Sequence, residues 1–228
     1  NYIKLFTDTS ILNFPKMFMN TFVIAIFTCI ISTIFVLSVA YSMSRMRFKM
    51  RKPFMNIAMI IGLFPSFMSM IAVYYILRAL NLADGAMIRV ALIIVFSAGS
   101  GAGFYVAKGF FDTISKSLDE AAIIDGATRW NVFTKITVPL SKPIIVYTIL
   151  TSFMGPWVDF IFGKVICRAD AQYYTVSIGL WKMLEKEYID SWYTCFAAGA
   201  VVVSIPIAIL FLMTQKFYVE GMTGAVKG

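Results

Sequence analysis

Residues 17–43 read MFMNTFVIAIFTCIISTIFVLSVAYSM, with no Asp, Glu, Lys or Arg among them. A hydrocarbon core about 30 Å thick is crossed by roughly 20 helical residues rising 1.5 Å each, so this run is long enough to span. It is also too long for the cleaved apolar core of a leader, and residues 1–16 lack a basic lead. Four more apolar stretches of spanning length follow, at 53–77, 87–111, 141–163 and 192–214. The expected fold is therefore an all-α membrane protein, a polytopic bundle of five transmembrane helices in one domain over 1–228.

Composition agrees with lipid as the solvent. Sixty per cent of the 228 residues are AVILMFWYC and 14% are charged, against about 25% charged in an ordinary soluble domain; mean hydropathy is +0.81. The net charge of +8 does not point to nucleic acid, because the cations fall between apolar runs and not along one face. Histidine is absent, which removes His-based acid–base chemistry, Ser-His-Asp and Cys-His triads and His-ligated metals. Cys29, Cys167 and Cys195 are isolated and have no metal spacing. No catalytic residue and no metal site is expected.

Orientation follows from Lys and Arg in the short loops. Residues 44–52, SRMRFKMRK, hold five cations and no acid, so this loop is expected in the cytoplasm. Alternation then puts 78–86 outside, 112–140 inside, 164–191 outside and the C-terminus inside. Lys116, Arg129 and Lys135 add positive charge to the second internal loop. The N-terminus falls outside, ahead of a first residue that is Asn1 and not Met; this predicts a further span upstream, six in the full-length protein.

Ion-coupled carriers need ionisable groups at mid-membrane. Here Asp159 and Arg89 lie near outer ends of spans, and the first, second and fifth spans have no charge in their interiors. No GxxxxGK[ST] nucleotide loop occurs. Gly99 and Gly103 form GxxxG inside an apolar run, which reads as helix packing. Pro65 with Ser66 and Ser69, Gly155-Pro156, and Pro206 with Ser204 are expected to bend three spans. Gly155, Trp157, Asp159 and Phe160 are candidate lining of a substrate path, since an aromatic beside a carboxylate suits sugar. An interfacial tryptophan belt is the other reading of Trp157.

The loop 112–140 is too patterned for a connector. Ser117 to Glu120 reads as a capping box with Ser117 as N-cap. Leu118, Ala121, Ala122 and Asp125 share one helical face, and Gly126 ends the helix. Thr128 caps a second short helix bearing Trp130 and Phe133, which Pro139 stops. The two helices form a knob, narrow along its alanines.

Glu120-Ala121-Ala122, then Gly126, then Ile136-Thr137-Val138-Pro139 resembles the EAA loop of permease subunits in binding-protein-dependent ABC importers. Val138 stands where Leu is usual. Asp125, Ala127, Phe133, Leu140 and Pro143 resemble the carbohydrate-importer version. The tail from Tyr218 to Gly228 resembles that of the second, maltose-type permease subunit. The likeness runs over nearly the whole chain, and such subunits usually have six spans.

The resemblance implies a multi-pass subunit of a prokaryotic plasma or inner membrane, pairing as a heterodimer with a second permease. Two cytoplasmic ATPase subunits would bind ATP and Mg, and this chain would bind no cofactor. Glu120, Ala121, Ala122, Asp125 and Gly126 would form the cytoplasmic coupling helix that docks in the ATPase. Glu220 and Gly221 in the tail would also reach it. An extracytoplasmic solute-binding protein would deliver an oligosaccharide of maltodextrin type and meet residues 164–191. The alternatives are the same machinery for a non-sugar solute, such as an amino acid or polyamine, and an ion-coupled carrier.

Overall fold

The computed structural model describes the backbone at residues 1–63, 66–168 and 170–225, and side chains at 1–63, 68–168 and 170–217. Among these residues every regular element is helical. A short helix α1 (Tyr2–Thr7) leads to the long α2 (Phe14–Arg45), which starts where the Asn13 side chain accepts from the Lys16 amide and Pro15 occupies the first turn. At 32 residues, α2 is about 48 Å long.

Its buried positions recur every fourth residue. Asn20, Ile24, Thr28, Ser32, Val36, Ala40 and Ser44 are all buried. A straight i, i+4 ridge of mostly small side chains lets neighbouring backbones come close. The helices α5 (Met87–Gly99), α6 (Gly103–Thr113) and α10 (Lys142–Val158) pack on α2. Its remaining faces expose Ile30, Ile31, Ile34 and Phe35, an apolar surface that water does not tolerate and lipid does.

The second apolar stretch is two helices, α3 (Arg51–Gly62) and α4 (Ser66–Ala79). A bend in this stretch is what the sequence predicts from Pro65 with Ser66 and Ser69, and Gly62, a poor helix former, lies at the end of α3. Pro65 lies outside the described residues. A 3-10 turn, Ser100–Ala102, separates α5 from α6, yet Met87–Thr113 still passes as one apolar helix of spanning length. Beyond it come the knob helices α7 (Lys116–Ile124), α8 (Arg129–Val132) and α9 (Val138–Leu140), with a π turn at Phe133–Thr137.

The chain stays helical through Pro139 and turns only at Ser141, where the axis bends by 81° into α10. Pro139 and Pro143 each occupy the first turn of a helix, the position where a missing N–H removes no bond. Pro156 is accommodated inside α10 and Pro206 inside the last helix, α13. Between them lie α11 (Ile161–Cys167), a 3-10 turn at Ala171–Tyr173, α12 (Val176–Met183) and then α13 (Ile189–Ala225). Among the described residues three single helices, Phe14–Arg45, Met87–Thr113 and Ile189–Phe217, are long and apolar enough to cross a membrane, and Arg129–Leu140 with Lys142–Val158 makes a fourth if the bent pair is counted as one.

Residues 170–176 are fastened to the start of α2. Asn20 Nδ2 donates to the carbonyls of Gln172 (2.9 Å) and Tyr174 (3.2 Å), and its Oδ1 accepts from Arg89 Nε at 3.0 Å. Thr21 Oγ1 accepts from the Val176 amide at 2.9 Å. Gly199 of α13 is in close approach to α12: a Cβ there would lie 2.8 Å from Leu180 Cδ2.

Cys167 is enclosed by this arrangement and donates to the Tyr173 carbonyl at 3.3 Å. Burial, with Asp170 nearby adding to it, pushes its thiol up to about 12. At pH 8 the thiolate is then roughly one molecule in ten thousand. A variant with Cys29 and Cys195 replaced by Ala is expected to resist N-ethylmaleimide when folded and to gain one adduct after denaturation, read by intact mass. Rapid labelling of the folded protein would contradict the enclosure.

Candidate functional site

The knob is built on a buried charge. Arg45, in the last turn of α2, places its guanidinium Nε 3.2 Å from Asp119 Oδ2 of α7, with side chains 3% and 13% exposed. Its Nη2 donates to the carbonyls of Phe111 (3.0 Å) and Ile114 (2.9 Å) at the end of α6. One planar cation thereby joins terminal carbonyls of one helix to a carboxylate oxygen of the next. Ser44 donates to Asp112 at 2.6 Å, and Lys108 pairs with the same carboxylate. Tyr41 completes the seat. Its hydroxyl donates to the Arg129 carbonyl at 3.3 Å, and its ring lies 4.7 Å from that of Phe133.

With Asp119 turned inward, the opposite face of α7 is left bare. Leu118, Ala121 and Asp125 are exposed and Ala122 is half-buried, as the shared helical face anticipates. Ile124 is 85% exposed and Trp130 69%. Glu120 is exposed and makes no hydrogen bond or ion pair among the described residues. An apolar rim around two alanines, held on a rigid seat, is a surface shaped to enter a groove.

Helix α7 begins two residues before the expected start. Ser115, not Ser117, is the N-cap, and its Oγ accepts from the Ser117 amide at 3.3 Å. Two serines two residues apart can each cap a helix, and the earlier start sets Asp119 toward Arg45. The helix end is as expected. Gly126 has φ +84°, its amide donates to Ile123 O and the Ala127 amide to Ala122 O, the paired bonds of a left-handed glycine stop. Thr128 caps α8 through the Asn131 amide.

The candidate path residues are dispersed. Trp157 is 2% exposed and packs against Phe18, Phe22 and Phe153. Asp159 closes the gap between α10 and α11, accepting from the Gly163 amide at 3.0 Å. Phe160 stacks near Trp181 at 5.1 Å, and Gly155 faces open space. They line no common cavity among those described.

A cavity of about 310 Å³ lies instead between α2, α5, α6 and α10, lined by Val36, Gly99, Ser100, Tyr147, Thr151 and Ser152 with Gly103 and Thr148. A Cβ added at Gly103 would lie 3.8 Å from Val36 Cγ2, while one added at Gly99 would meet nothing within 4 Å, so neighbouring side chains approach only one member of the GxxxG pair. Glu220 and Gly221 fall outside the described side chains.

Sequence reasoning passed over Arg45 and Asp119. The available signal was a cation one turn past Tyr41, on the same helical face. Replacing Asp119 with Leu strands the buried guanidinium and is expected to cost about 3–5 kcal/mol. It should lower the unfolding midpoint in detergent and speed amide exchange across Lys116–Ile124. Unchanged exchange there would show that the pair does not anchor α7.

Comparison with known proteins gives one answer. The family described as binding-protein-dependent transport system inner membrane component matches residues 34–220. The galactooligosaccharides transport system permease protein GanQ of Bacillus subtilis (strain 168) is 34% identical over 100% of this chain and 80% of its own. The maltodextrin transport system permease protein MalD of Streptococcus pneumoniae (strain ATCC BAA-255 / R6) is 32% identical over 100% of this chain and 79% of its own. A chain from the crystal structure of a bacterial ABC transporter involved in the import of the acidic polysaccharide alginate superposes with a TM-score of 0.76, at 25% identity, over 95% of this chain and 78% of that one. With the family match spanning most of its length and relatives of this identity covering all of it, this chain belongs to the inner membrane components of binding-protein-dependent transport systems.

Proposed function

We propose that the chain is the permease subunit of an ATP-driven importer of sugar, an oligosaccharide of maltodextrin or related type. It forms the translocation path with a second permease subunit and is not itself an enzyme. Two cytoplasmic ATPase subunits bind the ATP and Mg, and an extracytoplasmic binding protein delivers the sugar, docking against residues 164–191. Relatives named for galactooligosaccharides and maltodextrin support the substrate class. The cationic 44–52 loop supports a cytoplasmic knob and C-terminus.

One observation carries the coupling role: the bare face of Leu118 and Ala121, with Ala122 at its edge, stands on a seat fixed by the Arg45–Asp119 pair. A docking helix has to be narrow where it enters its partner and stiff where it leaves. Glu120, exposed at the edge of that face, offers a polar contact to the ATPase, and Gly126 sets the angle to α8. Replacing Ala121 or Ala122 with Arg should abolish ATPase co-purification and sugar uptake, while a reporter in loop 44–52 still reports insertion. Retained association with normal uptake would refute the docking role.

The path runs, on this reading, through the hydroxyl-lined cavity beside α10. Thr148 donates to Ile144 O, Thr151 to Tyr147 O, and Ser100 to Ser97 O. Each hydroxyl thus satisfies its proton within its own helix and keeps lone pairs for a sugar hydroxyl. Tyr147 adds a ring with a polar tip. Thr151→Val keeps the shape and deletes the acceptor, so the KM for sugar uptake should rise roughly tenfold. Unaltered uptake kinetics in that variant and in Ser100→Leu would move the path elsewhere.

A further inference from the structure

A second cavity, about 340 Å³, opens between the knob and the segment that joins α2 to α3. Arg45, Arg47, Arg51, Lys116 and Arg129 line it, against the carboxylates of Asp119 and Glu120. Asp119 is already engaged by Arg45. Arg45 nevertheless keeps Nη1 without a hydrogen-bond partner among the described residues, on a side chain only 3% exposed. Excess positive charge around an under-committed guanidinium suits oxygens of an anion, which accept from planar N–H donors in pairs.

The depth of the cavity narrows the choice of anion. Tyr41, on its wall, belongs to the uncharged run 17–43, whereas Arg45 and Arg47 come immediately after that run. At about 48 Å, α2 outreaches a hydrocarbon core of about 30 Å and ends in the headgroup layer. Met46, Phe48 and Met50 alternate with the cations and are 37%, 43% and 61% exposed. A site for a free aqueous anion has no need of an apolar rim. An amphiphile with a charged head and oily tails matches both parts.

We infer that this cavity binds the phosphate group of an anionic phospholipid from the cytoplasmic leaflet, with its acyl chains beside Met46, Phe48 and Met50. The inference rests on the proposed orientation, which puts the knob on the cytoplasmic side. Basic segments beside a span are drawn to that leaflet. The lipid bridges the α2–α3 segment to α7 and α8, adding a second tie between spans and knob at the point where Arg45 makes the first.

The test uses the assembled transporter in nanodiscs of phosphatidylcholine with a minor share of phosphatidylglycerol. Lipid retained by this chain is quantified by mass spectrometry for the wild type and for Arg47→Gln/Arg51→Gln. Arg45 is left intact because its loss endangers the fold. Phosphatidylglycerol should be enriched about tenfold over its share in the disc, and the double variant should bring it back to that share. Inorganic phosphate should not displace it.

Enrichment absent in the wild type, or unaffected by the double substitution, overturns the site. Displacement by inorganic phosphate overturns the lipid in favour of a free anion. Cross-linking of Arg47→Cys to the ATPase in place of lipid overturns it in favour of a protein partner. Lipid is read on this chain and coupling on ATP hydrolysis, so failure of one without the other identifies which reading is wrong.

Discussion

A guanidinium removed from water has five N–H donors to place, and Arg45 commits part of its own by joining segments far apart in sequence. Its partners are the carbonyls of Phe111 and Ile114, which end α6, and the carboxylate of Asp119 in α7. Losing that pairing would strand a buried charge, so the contact favours one relative placement of α2, α6 and α7. Because α5, α6 and α10 all rest on α2, the knob is continuous with the helices that carry the rest of the molecule. Tyr41, stacked on Phe133 and bonded to the Arg129 carbonyl, extends the same grip to α8.

Much of this plan was legible because lipid imposes a simple length rule on helices. Residues 17–43 and 87–111 each fall inside one long helix, and Gly126 and Thr128 act as their chemistry requires, a glycine at φ +84° and a threonine oxygen on the Asn131 amide. What escaped was tertiary in origin. Ser115 and Ser117 are equivalent as caps until Asp119 has to face Arg45. Trp157 beside Asp159 looks like a sugar platform until Phe18 and Phe22, from the other end of the chain, enclose it.

Most of the buried polar side chains among the described residues are hydroxyls, and this has a physical sense. A charge at mid-membrane is costly and must be paired. A threonine or serine hydroxyl can donate to the carbonyl one turn back and cost little in lipid. Thr21 and Thr148, both buried, do so within their own helices. A cavity built from such groups holds a neutral polyol through many weak acceptors, an arrangement that binds and releases without needing a titrating side chain.

On the proposed reading the work enters mechanically through the knob, and the geometry offers one route for it. The helix α10, which presents Tyr147, Thr148, Thr151 and Ser152 to the cavity, is joined to the knob through Ser141, where the axis turns by 81°. Two rods meeting near a right angle act as a crank. A push on the knob along its own axis appears at α10 as tilt, and tilt of α10 changes the width of the cavity against Gly99 and Val36. Glycine at position 99, with nothing in contact at its open side, leaves room for that movement. Under the proposed coupling, then, the ion pair keeps the knob rigid, and the bend at Ser141 converts its displacement into opening and closing of the path.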